Sequence, residues 1–104
     1  MDAIILPPCS PANSFLGSDL QLYIQQQTLE SLKVLEAPEG FYVAAQFVWS
    51  KDKIWYLTTL RDRFQPKVYK DLRRLNGILK RAGVSSFDFL HNQSLPAGEG
   101  KGCL

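Results

Sequence analysis

Between Arg61 and Arg81 the chain carries Arg61, Arg63, Lys67, Lys70, Arg73, Arg74, Lys80 and Arg81 against only Asp62 and Asp71, a local charge of +6. Bases clustered this closely can contact phosphate oxygens and release the counterions of a nucleic acid, so all eight are candidate nucleic-acid-binding residues for DNA or RNA. The plainer alternative is a solvated exterior, since an amphipathic helix routinely turns its charges to water. The rest of the chain is poorly equipped for bond-making. The sole histidine, His91, has no serine or cysteine in a recognisable nucleophile motif beside it, and the glycines lack the spacing that cradles phosphate after a strand. Asp52, Asp62 and Asp71 read as turn, loop and exposed-face residues. Cys9 and Cys103 lie near opposite ends, without the close spacing of a zinc knuckle or a redox pair, and are expected as free thiols. A non-enzymatic protein with no metal and no cofactor is the expectation.

The positive end is balanced elsewhere. From Met1 to Gly40 there are five acids, Asp2, Asp19, Glu30, Glu36 and Glu39, against Lys33 alone, and the whole chain of 104 residues carries only +2. With 45% apolar and 12% aromatic residues it suits one globular domain, assigned to residues 1–90, followed by a flexible tail over 91–104. No apolar run approaches the about 20 residues needed to cross a bilayer. Asp2 stands where a signal peptide would carry positive charge, and Ala3–Leu6 halts at Pro7-Pro8, so no membrane association and a cytoplasmic location are expected.

The elements that must position these bases are organised around Phe41–Leu60, two runs of aromatic and branched residues separated by a short polar turn. With Lys51 and Asp52 at the tip, Trp49 pairs with Ile54, Phe47 with Tyr56, Ala45 with Thr58 and Val43 with Leu60, and these form the core face with Phe41. The opposite face then carries Tyr42, Ala44, Gln46, Val48, Trp55, Leu57 and Thr59. From it Tyr42, Gln46, Val48, Trp55 and Leu57 are taken as interface or stacking residues. An uncovered sheet face of this kind can stack unpaired bases, or be covered by a second copy of the chain, giving a homodimer, or by the N-terminal segment.

Before the hairpin, Asp2–Leu6 reads as a strand and Cys9–Gly17 as a loop. Ser18 and Gln21 match a capping box opening a helix to about Glu36, with Leu20, Ile24, Thr28, Leu32 and Leu35 on one side. Leu20, Leu22 and Ile24 also alternate as a strand would, leaving 19–27 open between the two. After the hairpin, a helix is expected over Pro66–Ala82, with proline at its start, Gly83 as its stop, and Val68, Leu72, Leu75, Leu79 and Ala82 inward. Val84–Leu90 reads as a last strand. The order is β-α-β-β-α-β, the split order of ferredoxin-like α+β domains; without the first strand it becomes α-β-β-α-β, a three-stranded antiparallel sheet with helices on one face.

The run Trp55–Phe89, WYLTTLRDRFQPKVYKDLRRLNGILKRAGVSSFDF, resembles small accessory proteins of bacterial plasmids and other mobile elements, some described as partition-associated. The resemblance rests on a strand, a basic loop, a Pro-Arg/Lys-x-Phe/Tyr-Lys-x-Leu helix start, a glycine and a terminal Phe-x-hydrophobic strand, with Pro66, Lys67, Tyr69, Leu72, Gly83 and Phe87 as matching positions. It covers a third of the chain and implies a DNA-maintenance setting. The expectation is therefore a small binding or accessory module that self-associates through the hairpin and contacts nucleic acid through a basic helix, the alternative being a purely protein-binding or regulatory module.

Overall fold

A computed structural model describes residues 6–96, the side chains of Lys51 and Asp52 excepted. The protein is an α+β domain. After a short 3-10 turn at Pro11–Asn13 come β1 (Ser14–Leu16), α1 (Gly17–Gln25), β2 (Leu29–Ala37), β3 (Gly40–Phe47), β4 (Ser50–Thr58), α2 (Leu72–Ala82) and β5 (Asp88–Leu90). They build one five-stranded sheet in the order β1-β4-β3-β2-β5, antiparallel through β4-β3-β2 and parallel at both edges.

This differs from both expected orders, and one segment accounts for most of the difference. The helix expected to reach Glu36 ends at Gln25. Gln27 takes a left-handed backbone, φ 59°, and the Thr28 amide and hydroxyl both donate to the Tyr23 carbonyl at 3.0 Å, closing α1. Residues 29–37 then form β2, a third member of the central antiparallel ribbon. A helical period was readable there because β2 is buried on both faces: Leu32 and Val34 join the core under the helices, while Leu35 and Ala37 join a second core on the other face. A strand covered on both sides loses its clean alternation. Of the strand expected at Asp2–Leu6, only Leu6 falls within the described residues. The expected loop Cys9–Gly17 contains β1, whose Ser14, Phe15 and Leu16 pair in parallel with Tyr56, Leu57 and Thr58. The side-chain cap lies at Ser10, which accepts the Ala12 amide at 3.3 Å, whereas α1 has no side-chain cap.

The hairpin turns earlier than its polar tip suggests. Phe47 pairs with Ser50, leaving Val48 and Trp49 as a two-residue turn, and with an irregularity between Ala45 and Phe47 the ladder settles at Ala44 with Tyr56 and Ala45 with Trp55. The Val48 amide donates to Thr28 at 2.9 Å, and Trp49 stacks on Phe47 with centroids 4.9 Å apart and planes at 5°. These contacts fix the turn. Beyond that irregularity the register stands three residues from the expected pairing, an odd number, so the side chains of β4 there take the face opposite to the one expected. Trp55 and Leu57 face the helices, and Ile54 and Tyr56 face away.

Both helices cover one face of the sheet, where Leu20, Leu75 and Leu79 pack with Phe15, Val34, Val43 and Phe47. The other face is closed by the two ends of the described chain. Leu6 and Cys9 on one side and Leu95 on the other pack against Leu35, Tyr42, Ala44 and Tyr56. The Tyr56 hydroxyl donates to the Pro7 carbonyl and the Tyr42 hydroxyl to the Ser94 carbonyl, each at 2.8 Å. The Gln93 amide also donates to the Glu36 carbonyl at 2.8 Å. Of the segment 91–104 expected as a tail, residues 91–96 thus lie against the sheet.

Candidate nucleic-acid interface

The basic segment is not one helix. Pro66 is buried, the Lys67 amide donates to the Leu57 carbonyl at 2.8 Å, and Tyr69 exchanges two backbone hydrogen bonds with Phe41 at 2.7 and 2.8 Å. Residues 66–70 are therefore stitched to β3 and β4, and α2 starts at Leu72, with the Asp71 carboxylate accepting the Arg73 amide at 2.9 Å. An aspartate at the N-cap outcompetes the proline start, because the extended segment already has partners in the sheet. Gly40 makes this possible: with φ 146°, it lets the Tyr69 carbonyl come so near that an added Cβ would sit 2.6 Å from that oxygen. At the other end Gly83 has φ 107°, and the Val84 amide reaches the Leu79 carbonyl at 3.0 Å, the helix stop expected from its glycine.

At about 3.6 residues per turn, Leu72, Leu75, Leu79 and Ala82 share the side of α2 that packs on the sheet. Arg73, Arg74, Lys80 and Arg81 occupy the reverse, and all four are exposed. Lys67 and Lys70 extend the same charge beyond the N-terminus, Lys67 lying 5.1 Å from the Tyr69 ring centre in a cation–π contact. Burial pushes the Tyr69 phenol up, while the nearby Arg74 charge pulls it down. Among the described residues none of these six cations stands in an ion pair; the pair present is His91 with Glu36, 2.8 Å apart and exposed. Lys80 and Arg81, in the last turn, also suit the negative end of the helix dipole.

The other two bases divide. Arg61 is exposed on the loop after β4. Arg63 is engaged in holding β1: its Nε donates to the Ser14 hydroxyl at 2.8 Å and its Nη2 to the Ser14 carbonyl at 2.9 Å. Its guanidinium fastens the loop after β4 to the start of β1, so fewer of its donors face solvent than those of Arg61.

The proposed hairpin surface does not assemble as one face. Tyr42 is fully buried in the second core and Leu57, at 2% exposure, in the core under the helices, on opposite sides of the sheet. Trp55 is half-buried on the helix side, donating from its indole to Ser50 at 3.2 Å and carrying Lys53 over its ring at 4.7 Å. Gln46 accepts the Ser31 hydroxyl at 3.1 Å on the second face. Only Val48, at the turn, is as open as expected. Trp49, expected inside, is half exposed at 51%, with its neighbours Phe47, Trp55 and Tyr23 beneath and beside it. The sequence clue was the pairing register alone, and the odd shift reversed it.

Beside these surfaces the second face holds a half-open cavity of about 180 Å³ lined by Leu6, Leu35, Ala44, Ile54, Lys33 and Gln46, among others. Cys9, buried, donates weakly from Sγ to the Arg63 carbonyl at 3.7 Å, and its burial, with the Asp62 charge, pushes the thiol up to about 12. A thiol held protonated is a poor nucleophile. Among the described residues no three of His, Cys, Asp and Glu converge to hold a metal ion, and no helix is long and apolar enough to cross a membrane. Compared with family models, with curated proteins and with solved structures, the chain finds no match.

Proposed function

We propose that this protein is a small non-enzymatic module that binds the sugar-phosphate backbone of DNA or RNA through the outward side of α2 and the residues just before it, Lys67, Lys70, Arg73, Arg74, Lys80 and Arg81, with Arg61 at the margin. The observation that carries the reading is a set of six exposed cations in and just before α2, unpaired by any described carboxylate, with the helix itself packed on the sheet through Leu75 and Leu79. Surface arginines that merely solubilise are commonly interspersed with acids; here Asp71 is occupied at the helix start. Phosphate contacts of this kind are tolerant of sequence and sensitive to salt. A setting in the maintenance of a mobile element, in the cytoplasm, accords with the resemblance of residues 55–89 to plasmid accessory proteins.

The test is a titration of labelled duplex and single-stranded probes at several salt concentrations. Wild-type protein should bind with log affinity falling linearly against log salt, and Arg73→Glu/Arg74→Glu should remove most of the binding, with the slope reduced by about two. Equal binding by that variant ends the proposal. A second reading, a protein partner or second copy docked at the hairpin turn, is favoured by the exposure of Val48 and Trp49, at 47% and 51%. Sedimentation over a range of concentrations separates the two: a species that stays monomeric, and does so equally with Trp49→Ser, counts against self-association.

A further inference from the structure

Gly77 sits in the middle of α2, on its outward side, and nothing among the described residues calls for a glycine there. A methyl group built at its Cα meets no other described atom within 4 Å beyond its chain neighbours and the helix's own backbone, and the backbone is ordinary helix. A glycine inside a helix weakens it relative to alanine, so the residue costs stability without relieving any crowding. Its surroundings supply a reason. Arg73 and Lys80 are seven positions apart, as are Arg74 and Arg81, so each pair lies about 10 Å apart along the axis on nearly the same azimuth. The two pairs form parallel rows, and Gly77 lies midway between them in both directions, the bare floor of a trough with cations along both rims.

The geometry points to a closely seated phosphodiester strand: the backbone of a nucleic acid lies lengthwise in this trough, over Gly77, with Arg73 and Lys80 on one rim and Arg74 and Arg81 on the other. This rests on the reading of α2 as a phosphate-binding surface and adds that the strand approaches the helix backbone itself. Charge complementarity selects the occupant, since four cations with no described ion-pair partner face a line along which a side chain has been left out. A Cβ at 77 would stand the strand away from the helix and lengthen the contacts on both rims at once.

Five proteins decide it, each measured for stability and for binding to a labelled duplex, a single strand and polyglutamate: wild type, Gly77→Ala, Gly77→Met, Asn76→Ala and Arg73→Glu/Arg74→Glu. Asn76 is exposed on the same turn but off the trough, and serves as the control for added helix propensity. Both Gly77 variants should be more stable than wild type and yet bind either probe severalfold more weakly, methionine more so than alanine, with the salt slope lower by about one. Asn76→Ala should gain stability and bind as wild type does. Gly77→Met binding as tightly as wild type, while Arg73→Glu/Arg74→Glu does not, overturns the trough and leaves the basic surface standing. Wild type that binds neither probe overturns both, and polyglutamate binding as strong as nucleic acid overturns the assignment to a phosphate strand.

Discussion

Single residues here separate what is charged from what is available. Arg63 and Arg73 are both bases of one cluster, yet Arg63 is spent on Ser14 and Arg73 projects into solvent. The buried acids of the second face show the same division between chemistry and availability. Cys9 is pushed up from 9.0 to about 12 and Tyr42 from 10.0 to about 12, both by burial first, and Tyr56 is raised further by the same cause. For an acid raised by folding, stability is complete below its ordinary value and is lost as pH climbs through the raised one. The denaturation midpoint should therefore hold at pH 8 and fall progressively from about pH 9 toward 12, with a smaller fall in Tyr42→Phe, whose hydroxyl no longer has to stay protonated to reach Ser94. An identical alkaline loss in that variant would remove Tyr42 as a contributor. Because the thiolate is the reactive form, Cys9 should also label slowly with a thiol reagent at pH 7.5 and readily once denaturant is added, as read by mass spectrometry of its peptide.

At the scale of elements, the decisive contacts are those that end or redirect them. Gly40 is where β3 begins and where the segment before α2 crosses it, and its φ of 146° is one that side chains rarely adopt. Gly40→Ala places a Cβ against the Tyr69 carbonyl and should cost about 1–3 kcal/mol of stability, measured by urea unfolding. Gly77→Ala, with open space around it, should shift stability the other way. Leu79→Ala, in the core beneath α2, should cost about 2–5 kcal/mol by leaving a cavity. The stop at Gly83, the apolar stripe and the outward cations of α2 were all legible from residues 72–83, since each depends only on neighbours within a turn or two. The start of α2 was not. Pro66 and Asp71 are both good helix openers, and the choice between them is made by Phe41 and Leu57, which hold residues 67–69 extended.

For the molecule as a whole, the sheet is covered on both faces, by two helices on one and by the ends of the described chain on the other. This removes the open face on which stacking or dimerisation was expected and moves the remaining exposed aromatic surface to the hairpin turn at Trp49. It also makes residues 91–96 structural. A chain ending at Leu90 loses the Tyr42 bond to Ser94 and the packing of Leu95, and should be less stable by about 2 kcal/mol and more prone to associate as concentration rises. An unfolding midpoint unchanged by that truncation would show that the segment contributes nothing to the second core.

The residues alone determined that the protein is α+β, that residues 41–60 make a hairpin, and that the last long helix turns leucines inward and cations outward. These are statements about local period, which neighbours along the chain settle among themselves. Tertiary structure decided that residues 29–37 are strand and not helix, which face each side chain of β4 takes, and what covers the far side of the sheet. In a strand the face is a matter of odd or even register: the turn at Val48 and Trp49, held by Thr28 and by the ring of Phe47, moves the pairing by an even number, and the irregularity between Ala45 and Phe47 makes the net shift odd and so reverses the assignments of β4 beyond it.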